Sequence, residues 1–383
     1  MLIMETKKFI YRAVGVVLAA TLLSSCVSQK LESPDLNEIY GEAAKKHHEF
    51  RNPVIVIPGI LGSKLLDPTT GKAVWGVFEG EFVNPEEPAN TALVALPMKK
   101  GAKLSSLQNR LIANGALDRV KFRLFGVPIE SRAYASILET LGAAGYQDQQ
   151  LAESGAIDYG SDHFTCFQFS YDWRRSNVDT AKALEAFIKE KKAYVRRRTM
   201  EEYGVDRKNI KFDIVAHSMG GLAARYYLRY GSQPLPQDGS LPKLNWAGTR
   251  DVNQLIMVRT PNSGSVLAFE ELVEGKKFAP KWLRVMTGVD IPDYSAAVLG
   301  TYPSLYELLP RTRHRAFVDT NDKTVDIYDE KLWRKNGWGL FRDDQQDTLE
   351  AILPSEPDAA EREVIAGDHI KKCLINAQRF HRA

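Results

Sequence analysis

Ser218 stands in Ala216-His217-Ser218-Met219-Gly220, a variant of Gly-x-Ser-x-Gly with alanine in the first glycine's place. The pattern has a mechanical reason. A strand-to-helix turn tight enough to expose a serine oxygen leaves room only for small neighbours. A helix starting at Met219 points its positive end and its free N–H groups at the reacting centre. Ala216 is small enough to keep that logic. A serine so placed is a candidate nucleophile. The competing reading is a serine that merely caps the helix. The β-branched run before it and the small-residue helix after it favour the nucleophile.

A serine hydroxyl needs a base, and the base needs an orienting acid. After Ser218 the chain offers His314, His369 and His381. His314 lies in the basic stretch "PRTRHRAF", and the other two lie on the last helix rather than at a strand end. Each reads as a surface or packing histidine.

The elements around Ser218 are legible from periodicity. "PVIVIPG", 53–59, reads as a buried parallel strand, and "RVKFRLFG" and "FTCFQFS" as strands near 120–125 and 164–170. Ser131 is placed to cap a helix carrying Tyr134, Ile137, Leu138 and Leu141, and Asp179 to cap a long helix carrying Leu184, Phe187, Ile188, Tyr194 and Val195. "KFDIVAHS" is a strand, "MGGLAARYYLRYG" a helix stopped by Gly231, and 251–261 a further strand. Residues 67–118 are weakly patterned and read as an insertion; 262–355, rich in Trp, Tyr and Pro, read as a cap over the sheet's carboxyl edge. A last helix spans about 358–382. The alternation predicts an α/β protein with a mostly parallel sheet and helices on both faces.

The 383 residues carry a formal charge of +3, and nothing in that balance points to nucleic acid. Residues 1–25 combine a basic head (Lys7, Lys8, Arg12) with an apolar run, Ala13 to Leu23, too short to span a bilayer as a helix. The "LLSSC" that follows resembles a bacterial lipobox, which implies cleavage before Cys26 and lipid on its sulfur; an ordinary secretory signal with a chance cysteine is the other reading. Residues 26–50 read as a polar tether, and 51–383 as the folded domain. Cys166 and Cys373 could form one bridge but no disulfide scaffold. No metal-ligand spacing and no cofactor motif is expected.

The stretches "VIVIPGILGSKL", "FSYDWRRS", "IVAHSMGGLAARYYLRYG", "RTPNSGS" and "YPSLYELLPR" occur in the order and character of the lecithin:cholesterol acyltransferase-like family of α/β hydrolases, which the chain resembles over 51–383. The resemblance implies an α/β-hydrolase fold with a lid. It implies an acyl-enzyme on Ser218, a lipid or other ester substrate, and acyl transfer to water or an alcohol. Met219 supplies one oxyanion N–H. Phe125, where the family has a Gly-Phe-Gly loop, supplies the second, with the Ile60-Leu61 loop as rival because Leu124 replaces a glycine. Asp172 and Arg174 of "YDWR" read as a buried or half-buried ion pair bracing the site. Arg259 replaces the family's small residue before Thr-Pro-Asn. The last helix resembles the one before the family's penultimate strand, so the final strands, with the acid and the base, are expected to be missing. The alternative is a catalytically inactive hydrolase fold that binds a lipid or a partner. Either would be lipid-anchored at a bacterial envelope membrane through Cys26, with no oligomeric state implied.

Two weaker patterns complete the reading. Asp319 to Glu330 resembles a calcium loop, but Thr324 stands where the turn needs glycine and Lys323 where it needs a ligand, so an acidic surface segment is expected. "KKFAPKWLRVMTG" sets Phe278, Trp282, Leu283 and Met286 among basic residues, either as an interfacial lid or as an ordinary cap helix.

Overall fold

The computed structural model describes residues 51–76, 87–116, 120–124, 127–131, 134–236, 238–277 and 293–383. The described strands are β1 (Val54–Ile57), β2 (Ser63–Leu66), β3 (Ala73–Trp75), β4 (Ile112–Ala116), β5 (Val120–Leu124), β6 (Val127–Ser131), β7 (Cys166–Gln168), β8 (Phe212–His217) and β9 (Val252–Val258). The helices that matter below are α1 (Pro88–Val94), α2 (Ala135–Ala143), α3 (Asn177–Tyr203), α4 (Met219–Tyr230), α5 (Val266–Glu274) and α6 (Ala359–Arg382).

The central sheet runs β7-β1-β8-β9, and every pair is parallel. β1 is apolar throughout because both its faces are covered. Val54 and Val56 pack with Leu138 of α2 and Cys166. Ile55 and Ile57 join the main core with Leu184 of α3 and Leu222 of α4. That core runs from Ile55 to Phe380, so the last helix belongs to it. β9 differs: it is the outer strand, with Ile256 and Met257 49% and 41% exposed. Helices therefore lie on both faces of a parallel sheet, as the alternation predicts.

Register links sheet to site. Ile57 pairs with Ala216, so Pro58-Gly59 comes to lie beside His217-Ser218. Both strands end at the same level, and the loops leaving them must share one small space.

Several boundaries need correction. β5 pairs antiparallel with β6, and this hairpin stands apart from the parallel sheet. Ser131 closes β6 and does not cap α2. Ser176, not Asp179, caps α3: its Oγ accepts from Val178 N–H at 3.2 Å, and Asp179 sits in the first turn. Within 67–118, β3 and β4 flank β2 in an antiparallel sheet of strands too short to show a period. Cys166 and Cys373 are both buried and free, on β7 and α6, so the possible bridge is not made. Asp319 closes a turn on itself, its carboxylate accepting from the Asn321 and Lys323 N–H groups. Among the described residues no group of three acidic, His or Cys side chains could hold a metal.

Candidate active site

Ser218 occupies the junction of β8 and α4 with φ 50° and ψ −124°. Such a backbone strains any residue with a Cβ and persists only where the surroundings fix it. Here they do. The Ser218 N–H donates to the Val258 carbonyl at 2.8 Å, and the Ser218 carbonyl accepts from Gly221 N–H at 3.1 Å. Its hydroxyl caps nothing on α4. The glycines that follow are required by contact: a Cβ on Gly220 would lie 2.4 Å from the Pro58 carbonyl oxygen, and one on Gly221 2.0 Å from Thr260 Oγ1. Across the sheet, a Cβ on Gly59 would lie 2.8 Å from Ser218 Cβ. Ala216, fully buried, fills the first glycine's place without a clash.

One backbone donor and one fixed loop flank the serine. Met219 is the first residue of α4, so its N–H has no intrahelical acceptor. The Pro58–Gly62 loop supplies the other side, and it is held rigid from several directions. Tyr171 Oη donates to the Pro58 carbonyl at 2.8 Å, Trp75 Nε1 to the Leu61 carbonyl at 2.7 Å, and Gly62 N–H to the Gly59 carbonyl at 3.1 Å. Leu61 itself has φ 59°. Gly59, at the start of the loop that carries Ile60 and Leu61, thus lies against Ser218, while Phe125 lies outside the described residues.

Three participants escaped the sequence reading. Tyr134 Oη accepts from Gly59 N–H at 2.8 Å and lies 2.8 Å from His217 Nδ1. Gly59, Tyr134 and His217 thus form one bracket tying the loop after β1 to the strand that carries the serine. Burial lowers the His217 pKa, and the Arg259 guanidinium lowers it further, so the ring stays neutral and free to accept from Tyr134. Burial raises the Tyr134 pKa, which keeps its proton in place. His217 was visible as the residue before the serine; no spacing marks Tyr134, 83 residues away.

Asp172 and Arg174 are paired. Arg174 is fully buried; its Nε and Nη2 reach Asp172 at 2.8 Å each, Nη1 reaches the Val94 carbonyl at 2.8 Å, and Nη2 reaches Asn109 Oδ1 at 2.9 Å. The fork ties the loop after β7 to α1 and the segment beyond it. Arg259 is exposed, with φ 52°.

The described histidines after the serine lie elsewhere. His314 sits on an exposed turn. His369 is buried in α6, with Nε2 3.1 Å from the Thr301 carbonyl and 3.4 Å from Cys373 Sγ, and burial pushes its pKa down to about 4. His381 faces the Leu309 carbonyl. No hydrogen bond among the described residues joins any of them to Ser218.

The family model for lecithin:cholesterol acyltransferase matches residues 130–352. That span includes β7, β8, β9 and the serine turn. No curated protein matches the chain. Among solved structures, a chain described as "The crystal structure of Tle4-Tli4 complex" is similar over 86% of this chain and 71% of that one, with 17% identity and a TM-score of 0.50. At that identity the likeness speaks for the fold alone, an α/β-hydrolase fold.

Proposed function

The chain belongs to the lecithin:cholesterol acyltransferase family, and from that premise we propose that it is a lipid acyl hydrolase or O-acyltransferase working through an acyl-enzyme on Ser218. The observation that carries the proposal is the strained Ser218 backbone at the start of α4, held with its hydroxyl capping nothing on that helix. Ser218 Oγ attacks the ester carbonyl and gives its proton to a base. The carbonyl oxygen becomes an oxyanion between Met219 N–H and the Ile60-Leu61 loop. Collapse expels the alcohol with a proton and leaves the acyl-enzyme, which water or an acceptor alcohol then opens.

A second reading has an observation of its own. No described histidine reaches Ser218, which favours a hydrolase fold that binds a lipid or a partner without turnover. Fluorophosphonate labelling separates the two, because the reagent reacts quickly only with an activated serine. Rapid labelling of the parent, lost in Ser218→Ala, supports catalysis. A folded parent that takes no label leaves the binding reading.

The Cys26 segment and the lid residues Phe278, Trp282, Leu283 and Met286 lie outside the described residues. No described helix is long and apolar enough to cross a membrane. We propose a lipid anchor on Cys26 at a bacterial envelope membrane, supported by the sequence. Incorporation of labelled fatty acid, absent from Cys26→Ser, is the expected result.

A further inference from the structure

Where the chain passes Pro310 and α6 ends, a cleft of about 540 Å³ is walled by Arg311, Arg313, Tyr328, Arg379, His381 and Arg382. Arg225 of α4 lies behind this cleft, near enough to Arg311 for its own charged form to be weakened and near enough to His381 to weaken that of the imidazole. Among the described residues, Arg311, Arg313 and Arg382 make no ion pair with a carboxylate, while Arg225 donates to Asn262 Oδ1. The nearby acids are otherwise engaged. Asp326 accepts from the Thr312 hydroxyl and the Tyr328 N–H, and Asp238 from the Ser240 N–H.

His381 adds an observation independent of the arginines. One side of its ring meets the Leu309 carbonyl, while Nε2 is buried with no hydrogen-bond partner. A buried nitrogen without a partner costs stability unless something arrives to meet it.

We propose that this cleft binds a phosphate group, either on a phospholipid headgroup or as free phosphate. Guanidinium forks match phosphate oxygens in pairs, and here they line one cleft from the turn after Pro310 and the end of α6. Exposed Ile375 forms an apolar wall beside them, which suits a ligand that also carries acyl chains.

The groups around the His381 ring are Arg311, Arg225, His314, Tyr328 and the Leu309 carbonyl. Burial first, then the cations Arg311 and Arg225, hold its pKa down to about 4. A bound anion offsets those cations, so the His381 pKa rises on binding.

The test follows the His381 imidazole by NMR in the full chain. One titration uses inorganic phosphate; a sedimentation assay uses phosphatidylcholine vesicles with and without phosphatidylglycerol. The parent and the Arg311→Gln/Arg313→Gln double variant are compared, after thermal melts show that both are folded. Arg313→Gln alone, at an exposed side chain, serves if the double variant melts early. Saturable movement of the His381 signal with phosphate, without preference for anionic vesicles, assigns a soluble phosphate. Preference for anionic vesicles assigns a lipid headgroup. In either case the double variant binds roughly tenfold more weakly or worse, as expected for two lost cations at an anionic surface. The proposal is overturned if phosphate leaves the His381 signal in place and the variant matches the parent on both vesicle types.

Discussion

Arg174 and Arg311 carry the same guanidinium into opposite surroundings. Arg174 is buried with Asp172 on two of its nitrogens, a carbonyl and an amide oxygen on the rest. Burial works against its charge, but Asp172 more than offsets this, and its pKa goes up. Arg311 sits among other cations; burial and Arg313 bring its pKa down. A saturated guanidinium has no capacity left for a ligand and acts as a joint between segments. An unsaturated one remains available for an anion.

That contrast predicts where substitutions hurt. The largest effect belongs to Arg174→Met, which leaves Asp172 and the Val94 carbonyl without their partner. A loss of about 3–5 kcal/mol is expected, read from the denaturant midpoint; a change under about 1 kcal/mol would erase the contrast. Next comes Glu307, which shows what a buried charge does without a cation. Its carboxylate takes hydrogen bonds from the Ser176 hydroxyl, the Asn177 N–H and side chain, and the Asn376 side chain. These donors favour the ionised form, yet burial outweighs them and pushes the pKa up to about 7. A raised carboxyl pKa stabilises the fold fully below its unfolded value, 4.5, and that contribution is lost as pH rises through about 7. Melting temperatures from pH 4.5 to 8 should therefore fall. The slope corresponds to on the order of 3 kcal/mol, and Glu307→Gln should flatten it.

Smaller still is Gly220→Ala, whose Cβ must push into the Pro58 carbonyl. The expected cost is about 1–3 kcal/mol, with slower fluorophosphonate labelling as the serine turn shifts. Arg313→Gln lies at the bottom of the scale. With no carboxylate partner to lose, it should change stability by less than about 0.5 kcal/mol while weakening the response to phosphate. A large drop in its melting temperature would mean that the corner is structural after all.

The same division separates what could be read from sequence. β1, β8, α4 and the Ser218 turn were legible because each is a local pattern: a β-branched run, then small residues where the turn is tight. The Tyr-Asp-Trp-Arg pair was legible because its partners are two residues apart. The Ser176 cap was misplaced by three residues, since Ser176 and Asp179 both make good caps and only the chain's path into α3 chooses between them. The strand near 120–125 was legible, but its pairing with β6 was not, because pairing partners do not show in one strand.

By itself, then, the sequence determined the serine turn and the parallel α/β layering, which rest on short-range periodicity and steric size, and the family resemblance, which rests on the order of its short motifs. Only the tertiary structure decided that Tyr134 brackets Gly59 with His217, that Glu307 seals the start of α3, and that arginines of the turn after Pro310 and of α6 line one cleft with His381. Those contacts join residues far apart in the chain. They depend on strand register and helix packing, which no local pattern encodes.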